Sequence, residues 1–347
     1  MIFFFRKKEK KSVGVDVGAY SVKIVELTKK GKETFLTNYG EAQIKFFSQE
    51  GFLKKSKNAF FISPKKVAKA IDQLIKTCEI KQKDAVFSLP DLATFIISFD
   101  VEKKEEEEMR REIVSEARKY IPLPPSEMII DFMVVGSDRL LKALTFAIPK
   151  DTLAQYQQIA KMLNLNVISF EPEVFSLIRG LDFSKREEAV LVLDVGEEST
   201  TCNFVQKGVL QETRSVSVAS SHFRQALCEK LKISPLAAEE LKLKYGMLGE
   251  GPEGEKVKEA LREVTLKLKN EIQDFTLGKD IDKIVLVGAG SKLLGFKDFL
   301  RKEFNVEVDI GNPFATLNYP AQLSNALLEI APTFCVAVGA AKRGLQI

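Results

Sequence analysis

Valines alternate with glycine and aspartate over residues 12–27, SVGVDVGAYSVKIVEL, and this period of two predicts a strand, a tight turn and a second strand. Val13, Val15 and Val17 mark the first strand, and Val22, Ile24, Val25 and Leu27 the second. Gly18-Ala19-Tyr20-Ser21 is the turn, where glycine allows positive φ and close backbone approach. The pattern recurs over residues 189–205, AVLVLDVGEESTTCNFV. Asp16-Val17-Gly18 and Asp194-Val195-Gly196 are the same tripeptide at the end of an apolar strand, and Lys30-Gly31 and Lys207-Gly208 close the two hairpins. Such a repeat speaks to architecture first and predicts two related lobes. Residues 283–299, KIVLVGAGSKLLGFKDF, read as strand, Gly-rich turn and helix, without the GxGxxG spacing of a dinucleotide fold.

Helical spacing fills much of the rest. Ser63-Pro64 predicts a helix start, with Ser as N-cap and Val67, Ile71, Leu74, Ile75 and Cys78 as the apolar face. Residues 84–89 and 93–101 read as strands, and 102–120 as a highly charged helix whose Glu run is a solvated face. The prolines of 121–125 stop it. Strands near 128–135 and 140–148 and a helix to Leu163 complete a β-α-β-β-α pattern, read as an inserted module over 84–163. Residues 166–180 predict a strand and a linking helix, with Glu171 and Glu173 at the junction. Ser220 or Ser221 starts a helix to Leu231, Ser234-Pro235 another closed by Gly246, and residues 255–275 a long one whose apolar spacing marks core, after a loop at 249–254.

The repeated corners carry the candidate chemistry. Turn amides can converge on an anion, Asp16 can hold Mg²⁺ through water, and Lys23 can return from the second strand to the same phosphates. The plain alternative at the first corner is a buried hairpin with a solvated lysine. The second copy favours the phosphate reading: two corners offering an acid and a cradle to one cleft.

Composition narrows the class. The chain has 347 residues, 45% of them hydrophobic, enough for one large two-lobed fold or two domains. Fifty-two basic against 48 acidic residues leave +4, too even to imply nucleic acid. Cys78, Cys202, Cys228 and Cys335 form no CxxC and read as reduced thiols. His222, the only histidine, reads as a surface or capping residue. MIFFFRKKEKK at residues 1–11 is too short for a signal peptide or a span; it reads as an arm into the first strand, with contact to an anionic membrane surface as the alternative.

The two corners and the 283–299 turn, in this order and spacing, resemble the actin-like ATPase superfamily: actin, Hsp70 chaperones, sugar kinases and bacterial division and pilus proteins. EARKYIPLPPSEMIIDF after an acidic helix, the opening MIFFFRKKEKKSVGVDVGAYSVKIVEL and the ending PTFCVAVGAAKR are similar to the PilM family of type IV pilus assembly proteins. FtsA, the cell-division relative, normally continues into a linker and membrane-targeting helix; the sequence runs to Ile347, and PilM is expected to be the nearer family.

The resemblance implies an α/β fold of duplicated actin-like (ribonuclease H-like) lobes around a nucleotide cleft. Residues 1–83 and 164–185 would form lobe I (1A), 84–163 a 1C-type subdomain, and 186–347 lobe II (2A/2B), the C-terminal helix returning to lobe I. It implies ATP and Mg²⁺. The first corner would supply Asp16, Gly18, Ala19, Tyr20, Ser21 and Lys23, and the second Asp194, Gly196, Thr200 and Thr201. The adenosine turn would supply Gly288, Ala289, Gly290 and Ser291, and Glu239 and Lys242 would approach the ribose or else form a surface ion pair. Asp16 and Asp194 would hold Mg²⁺ through water. Glu171 and Glu173 are candidates to orient the attacking water, or helix N-terminal acids answering the dipole; the chain would be at most a slow ATPase. Family patterns usually have Ser where Ala19 and Tyr20 stand, Gly-Gly near Val218-Ala219-Ser220, and Gly in place of Ala289.

The implied partner is the cytoplasmic N-terminal tail of the membrane protein PilN, gripped between subdomains 1A and 1C, with other pilus platform proteins and self-association besides. The implied location is cytoplasmic, peripheral at the inner face of the cytoplasmic membrane. The alternatives are an FtsA-like filament-forming ATPase, a metabolite kinase, and a component of a related secretion or competence apparatus.

Overall fold

The alternating valines become β1 (Lys10–Val17), which pairs antiparallel with β2 (Ser21–Lys30) from Lys10↔Lys29 to Val17↔Val22. The computed structural model describes residues 9–43, 53–56, 59–136, 139–183 and 188–347, with backbone alone at 53–56, 59–62 and 92. Of the arm at 1–11, residues 1–8 lie outside that set, as does the expected lobe boundary at 185/186. The chain divides into two compact units: Met1–Asp182 with Asn312–Ile347, and Phe183–Gly311.

The first unit continues with β3 (Glu33–Gln43), a short pair β4 (Leu53–Ser56) and β5 (Ala59–Ile62), α1 (Pro64–Thr77) and β6 (Asp84–Leu89). Then come β7 (Phe95–Glu102), α2 (Glu106–Ala117), β8 (Met128–Val135), β9 (Leu140–Pro149), α3 (Lys150–Met162), β10 (Asn166–Pro172) and α4 (Glu173–Leu181). The main sheet runs β3-β2-β1-β6-β10, the last two parallel to β1.

The inserted module is smaller than 84–163. β6 is an unbroken apolar run, buried on both faces as a central parallel strand must be, and it lies in the main sheet. Tyr156, Ile159, Ala160 and Leu163 of the α3 region pack with α1 and the valines of β1. What remains apart is the three-stranded sheet β7-β9-β8, with α2 on one face through Ile113 and Ala117.

The second unit holds β11 (Ala189–Val195), β12 (Thr200–Gln206), β13 (Val209–Val216), α5 (Ser220–Leu231), α6 (Pro235–Tyr245), α7 (Gly251–Thr276), β14 (Lys283–Val287), α8 (Phe296–Phe304) and β15 (Glu307–Ile310). Helix α7 begins earlier than the expected 255, because Pro252 suits a first helical turn. The sheet runs β13-β12-β11-β14-β15, antiparallel through the first three and parallel after, which is the order of the first unit repeated. Leu191, Leu193 and Val195 face a core completed by the helices, including Phe223, Leu261 and Phe296.

The chain then returns to the first unit through α9 (Ser324–Ile330) and α10 (Cys335–Gln346). Helix α10 lies so close on β1 that a Cβ at Gly14 would sit 2.0 Å from the Ala337 carbonyl oxygen. Period two therefore sorts β1: its valines face α1 and α3, while Gly14 and Asp16 share the α10 side.

Candidate functional site

Each unit places its Asp-Val-Gly tripeptide at a hairpin corner of the same construction. Gly18 N–H donates to the Ser21 carbonyl oxygen at 3.0 Å, and Gly196 N–H to that of Ser199 at 2.9 Å. Gly18 does not use the positive φ open to glycine, and neither does Gly196. Close approach is the constraint instead, since a Cβ would lie 3.1 Å and 3.0 Å from those same carbonyl oxygens.

In the first corner Asp16 stands opposite Lys23, and both are buried. Lys23 Nζ donates to Ser21 Oγ at 2.9 Å and lies 3.9 Å from Asp16 Oδ2 and 3.8 Å from Glu41 Oε1. Burial pushes the Asp16 carboxyl above its ordinary range; Lys23 opposes this, Glu41 adds to it, and a hydrogen bond from Ser88 opposes it. The corner thus has one cation among two carboxylates and a hydroxyl, and the plain reading of a solvated Lys23 is wrong: β3 and the sheet cover it.

In the second corner Thr201 takes the position opposite Asp194. Its neighbour Thr200 has a buried hydroxyl with no hydrogen-bond partner among the described residues. Ser220 and Ser221 N–H groups donate to the carbonyls of Gly196 and Glu197 at 2.9 and 3.1 Å, tying the start of α5 to the turn. Arg224 bridges Glu197, at 2.5 Å, to Glu239, at 3.4 Å. Lys242, buried, sits 2.8 Å from Glu239 and donates to Ser220 Oγ at 3.2 Å. Glu239 and Lys242 are therefore joined to the corner, not left as an isolated surface pair. His222 is a cap, its Nδ1 accepting the Ala219 N–H at 3.1 Å.

The third motif abuts the second corner. Gly288 has φ +79°, and a Cβ there would lie 2.3 Å from Asp194 Oδ1. A Cβ on Gly290 would lie 2.2 Å from Val195 Cγ1. The side-chain space of these glycines is thus taken by β11, a packing reason the sequence reading lacked when it opened them to a nucleoside. Ser291 Oγ donates to the Gly288 carbonyl at 2.7 Å, and Ala289 is exposed.

Glu171 accepts from Ser176 Oγ and Arg179 Nη1, each at 2.5 Å. Glu173 Oε2 accepts the Asp91 N–H at 3.2 Å, while Asp91 Oδ1 accepts the Val174 N–H at 3.3 Å. These contacts account for both glutamates as clasps of α4 within the first unit.

The sequence profile described as type IV pilus assembly protein PilM matches residues 14–345. The chain belongs to the type IV pilus assembly protein PilM family. Among solved structures, the chain in a PilM-PilN type IV pilus biogenesis complex is similar at 24% identity and TM-score 0.83, over 96% of this chain and 98% of that one. The ethanolamine utilization protein EutJ from Carboxydothermus hydrogenoformans follows at 13% and 0.56, covering 96% and 89%. MreB5 of Spiroplasma citri bound to ADP is similar at 10% and 0.51, covering 95% and 94%. These likenesses show the actin-like fold.

Against the usual PilM-family pattern, Val218 and Ala219 are absorbed by the core of the second unit, while Ser220 supplies the hydroxyl that meets Lys242. Tyr20 remains partly exposed at the tip of its turn. Glu41, Ser88, Glu197 and Arg224 were missed in the sequence. Counting back from Lys30↔Glu33 puts Gly40 opposite Lys23, and only the bulge at Thr37 of β3, across from Glu26 and Leu27, brings Glu41 there.

Proposed function

We propose that this PilM-family protein binds ATP with Mg²⁺ through the equivalent corners of its two units and grips the cytoplasmic N-terminal tail of a PilN partner. The observation that carries the nucleotide part is the duplication itself: one strand order, one Asp-Val-Gly corner and one closing hydrogen bond in each unit. The amides at 18–21 and 196–199 take phosphate oxygens, Lys23 adds a charge-assisted hydrogen bond, and Thr200 and Thr201 supply hydroxyls. Glu239 and Lys242 serve the ribose, and 288–291 the adenine side. ADP on the MreB5 relative supports the reading.

The donor set suits magnesium. Among the described residues no group of three or more His, Cys, Asp or Glu side chains converges as a metal cage. The aspartates of the two corners, Asp16 and Asp194, suit an ion that keeps several waters and phosphate oxygens. The ion's chemistry would be to neutralise phosphate charge. We assign no residue to orient an attacking water, because Glu171 and Glu173 are committed to α4.

For the partner, support comes from the family and from the PilM-PilN complex among the similar structures. In the first unit β8 is a sheet edge with Ile129 and Met133 exposed, able to add main-chain hydrogen bonds and pockets for an extended tail. The protein would act in the cytoplasm, peripheral to the membrane through PilN. Calorimetric titration of the full chain with MgATP, and then with a synthetic PilN-tail peptide, tests both parts; no heat with either ligand rejects the corresponding one.

A further inference from the structure

We propose that the end of the main sheet where β1 begins docks on an anionic lipid bilayer. The inference does not rest on the nucleotide or PilN readings. Register brings the basic residues together there. Lys10 pairs with Lys29 across β1 and β2. Two residues before the Val13↔Ala85 pair stand Lys11 and Lys83, and Gln82 Nε2 donates to the Lys11 carbonyl at 2.8 Å. Lys32 lies in the β2–β3 turn and Lys81 in the segment entering β6. Lys10, Lys11, Lys32, Lys81 and Lys83 are exposed and Lys29 half-buried.

Lys30, beside Lys29 on β2, is held in an ion pair with Glu9 at 2.9 Å. Glu33, in the β2–β3 turn, and Glu79, before β6, are exposed carboxylates of the same segments, and the exposed Ile347 carboxylate ends the helix whose Gly344 packs on Ser12. Asp84 is engaged by Asn166 Nδ2 at 2.6 Å and Gln82 Nε2 at 3.3 Å. Lysines outnumber carboxylates here, seven against Glu9, Glu33, Glu79, Asp84 and the chain-end carboxylate, although the whole chain is nearly neutral.

The sequence leading into this end decides the partner. Residues 1–8 read Met-Ile-Phe-Phe-Phe-Arg-Lys-Lys. Three phenylalanines beside three cations match an interface that takes rings among acyl chains and ammonium groups at headgroups. Nucleic acid would use the lysines but give the apolar residues nothing to enter. The strand carries the Gly18 corner about 25 Å from the docked end at ~3.3 Å per residue, clear of the bilayer.

Co-sedimentation of the full chain with vesicles tests this, using phosphatidylcholine alone against phosphatidylcholine with about one-third phosphatidylglycerol. The expected result is sedimentation with the anionic vesicles that weakens as salt rises past about 0.3 M. K10E/K29E/K83E should weaken it at least tenfold, given about fivefold per cation near such a surface. F3S/F4S/F5S, which alters no residue of the described strands, should weaken it also while the circular dichroism spectrum is kept. Absence of sedimentation, equal sedimentation with neutral vesicles, or either variant binding as the parent does would overturn the proposal. So would binding to duplex DNA without binding to vesicles.

Discussion

Lys23 stands across from Asp16 in register, its ammonium 3.9 Å from that carboxylate and hydrogen-bonded to Ser21 Oγ at 2.9 Å. Lysine, hydroxyl and carboxylate are held together at one corner. Lys23→Ala should weaken MgATP about 10- to 100-fold, the worth of a charge-assisted hydrogen bond. The melting temperature should fall by a few degrees, because Asp16 loses its counter-charge. Calorimetry with unchanged affinity would reject Lys23 as a phosphate ligand.

Asp16 gives a pH signature. Its pKa is raised in the fold, chiefly by burial. A carboxyl raised on folding favours the native state when protonated, so its penalty grows as pH climbs from the unfolded carboxylate value through the folded one. Asp16→Asn removes that penalty. Urea unfolding should show the variant gaining on the parent as pH rises from about 4, then holding a constant lead. A lead that shrinks with pH would contradict the raised carboxyl. Nucleotide affinity should fall in the same variant.

Gly288 and Gly278 separate strain from collision. Both have positive φ, +79° and +74°, but only Gly288 would put a Cβ against Asp194; Gly278 has open space. Gly278→Ala should cost about 1 kcal/mol in unfolding free energy. Gly288→Ala should cost about 2–4 kcal/mol, strain and steric displacement together, and should also weaken MgATP by moving Asp194. Equal losses would mean that the 288–291 turn is not held against β11 as described.

The thiols should divide by burial. Burial pushes the Cys202 thiol up to about 12, and Cys335 is also buried, while Cys78 and Cys228 are part-exposed. A thiolate-specific disulfide reagent at pH 8 should modify Cys78 and Cys228 in the native protein and all four cysteines only in denaturant. Burial holds the Cys78 thiol above its ordinary value as well, so Cys228 should react first. Fast labelling of Cys202 would overturn its place in the second core.

Ile129→Lys with Met133→Lys should abolish binding of a PilN-tail peptide by pull-down, with stability changed by less than about 0.5 kcal/mol as for exposed positions. Both side chains are 40% exposed on β8. Peptide binding that survives would place the tail elsewhere.

The amino-acid sequence determined the repeated hairpins, their Asp-Val-Gly corners and the family, because these are local: alternation, turn residues and spacing act within about twenty residues. It also named Asp16, Lys23, Asp194, Glu239 and Lys242. The tertiary structure decided what surrounds them. It drew β6 and α3 out of the inserted module, since an apolar strand buried on both faces can be completed only by distant partners. It set Gly14 under α10 across more than three hundred residues of chain, and gave Gly288 its reason in Asp194. One bulge in β3, at Thr37, put Glu41 rather than Gly40 beside Lys23. Bulges, helix docking and burial depend on contacts between remote segments, and no local pattern encodes them.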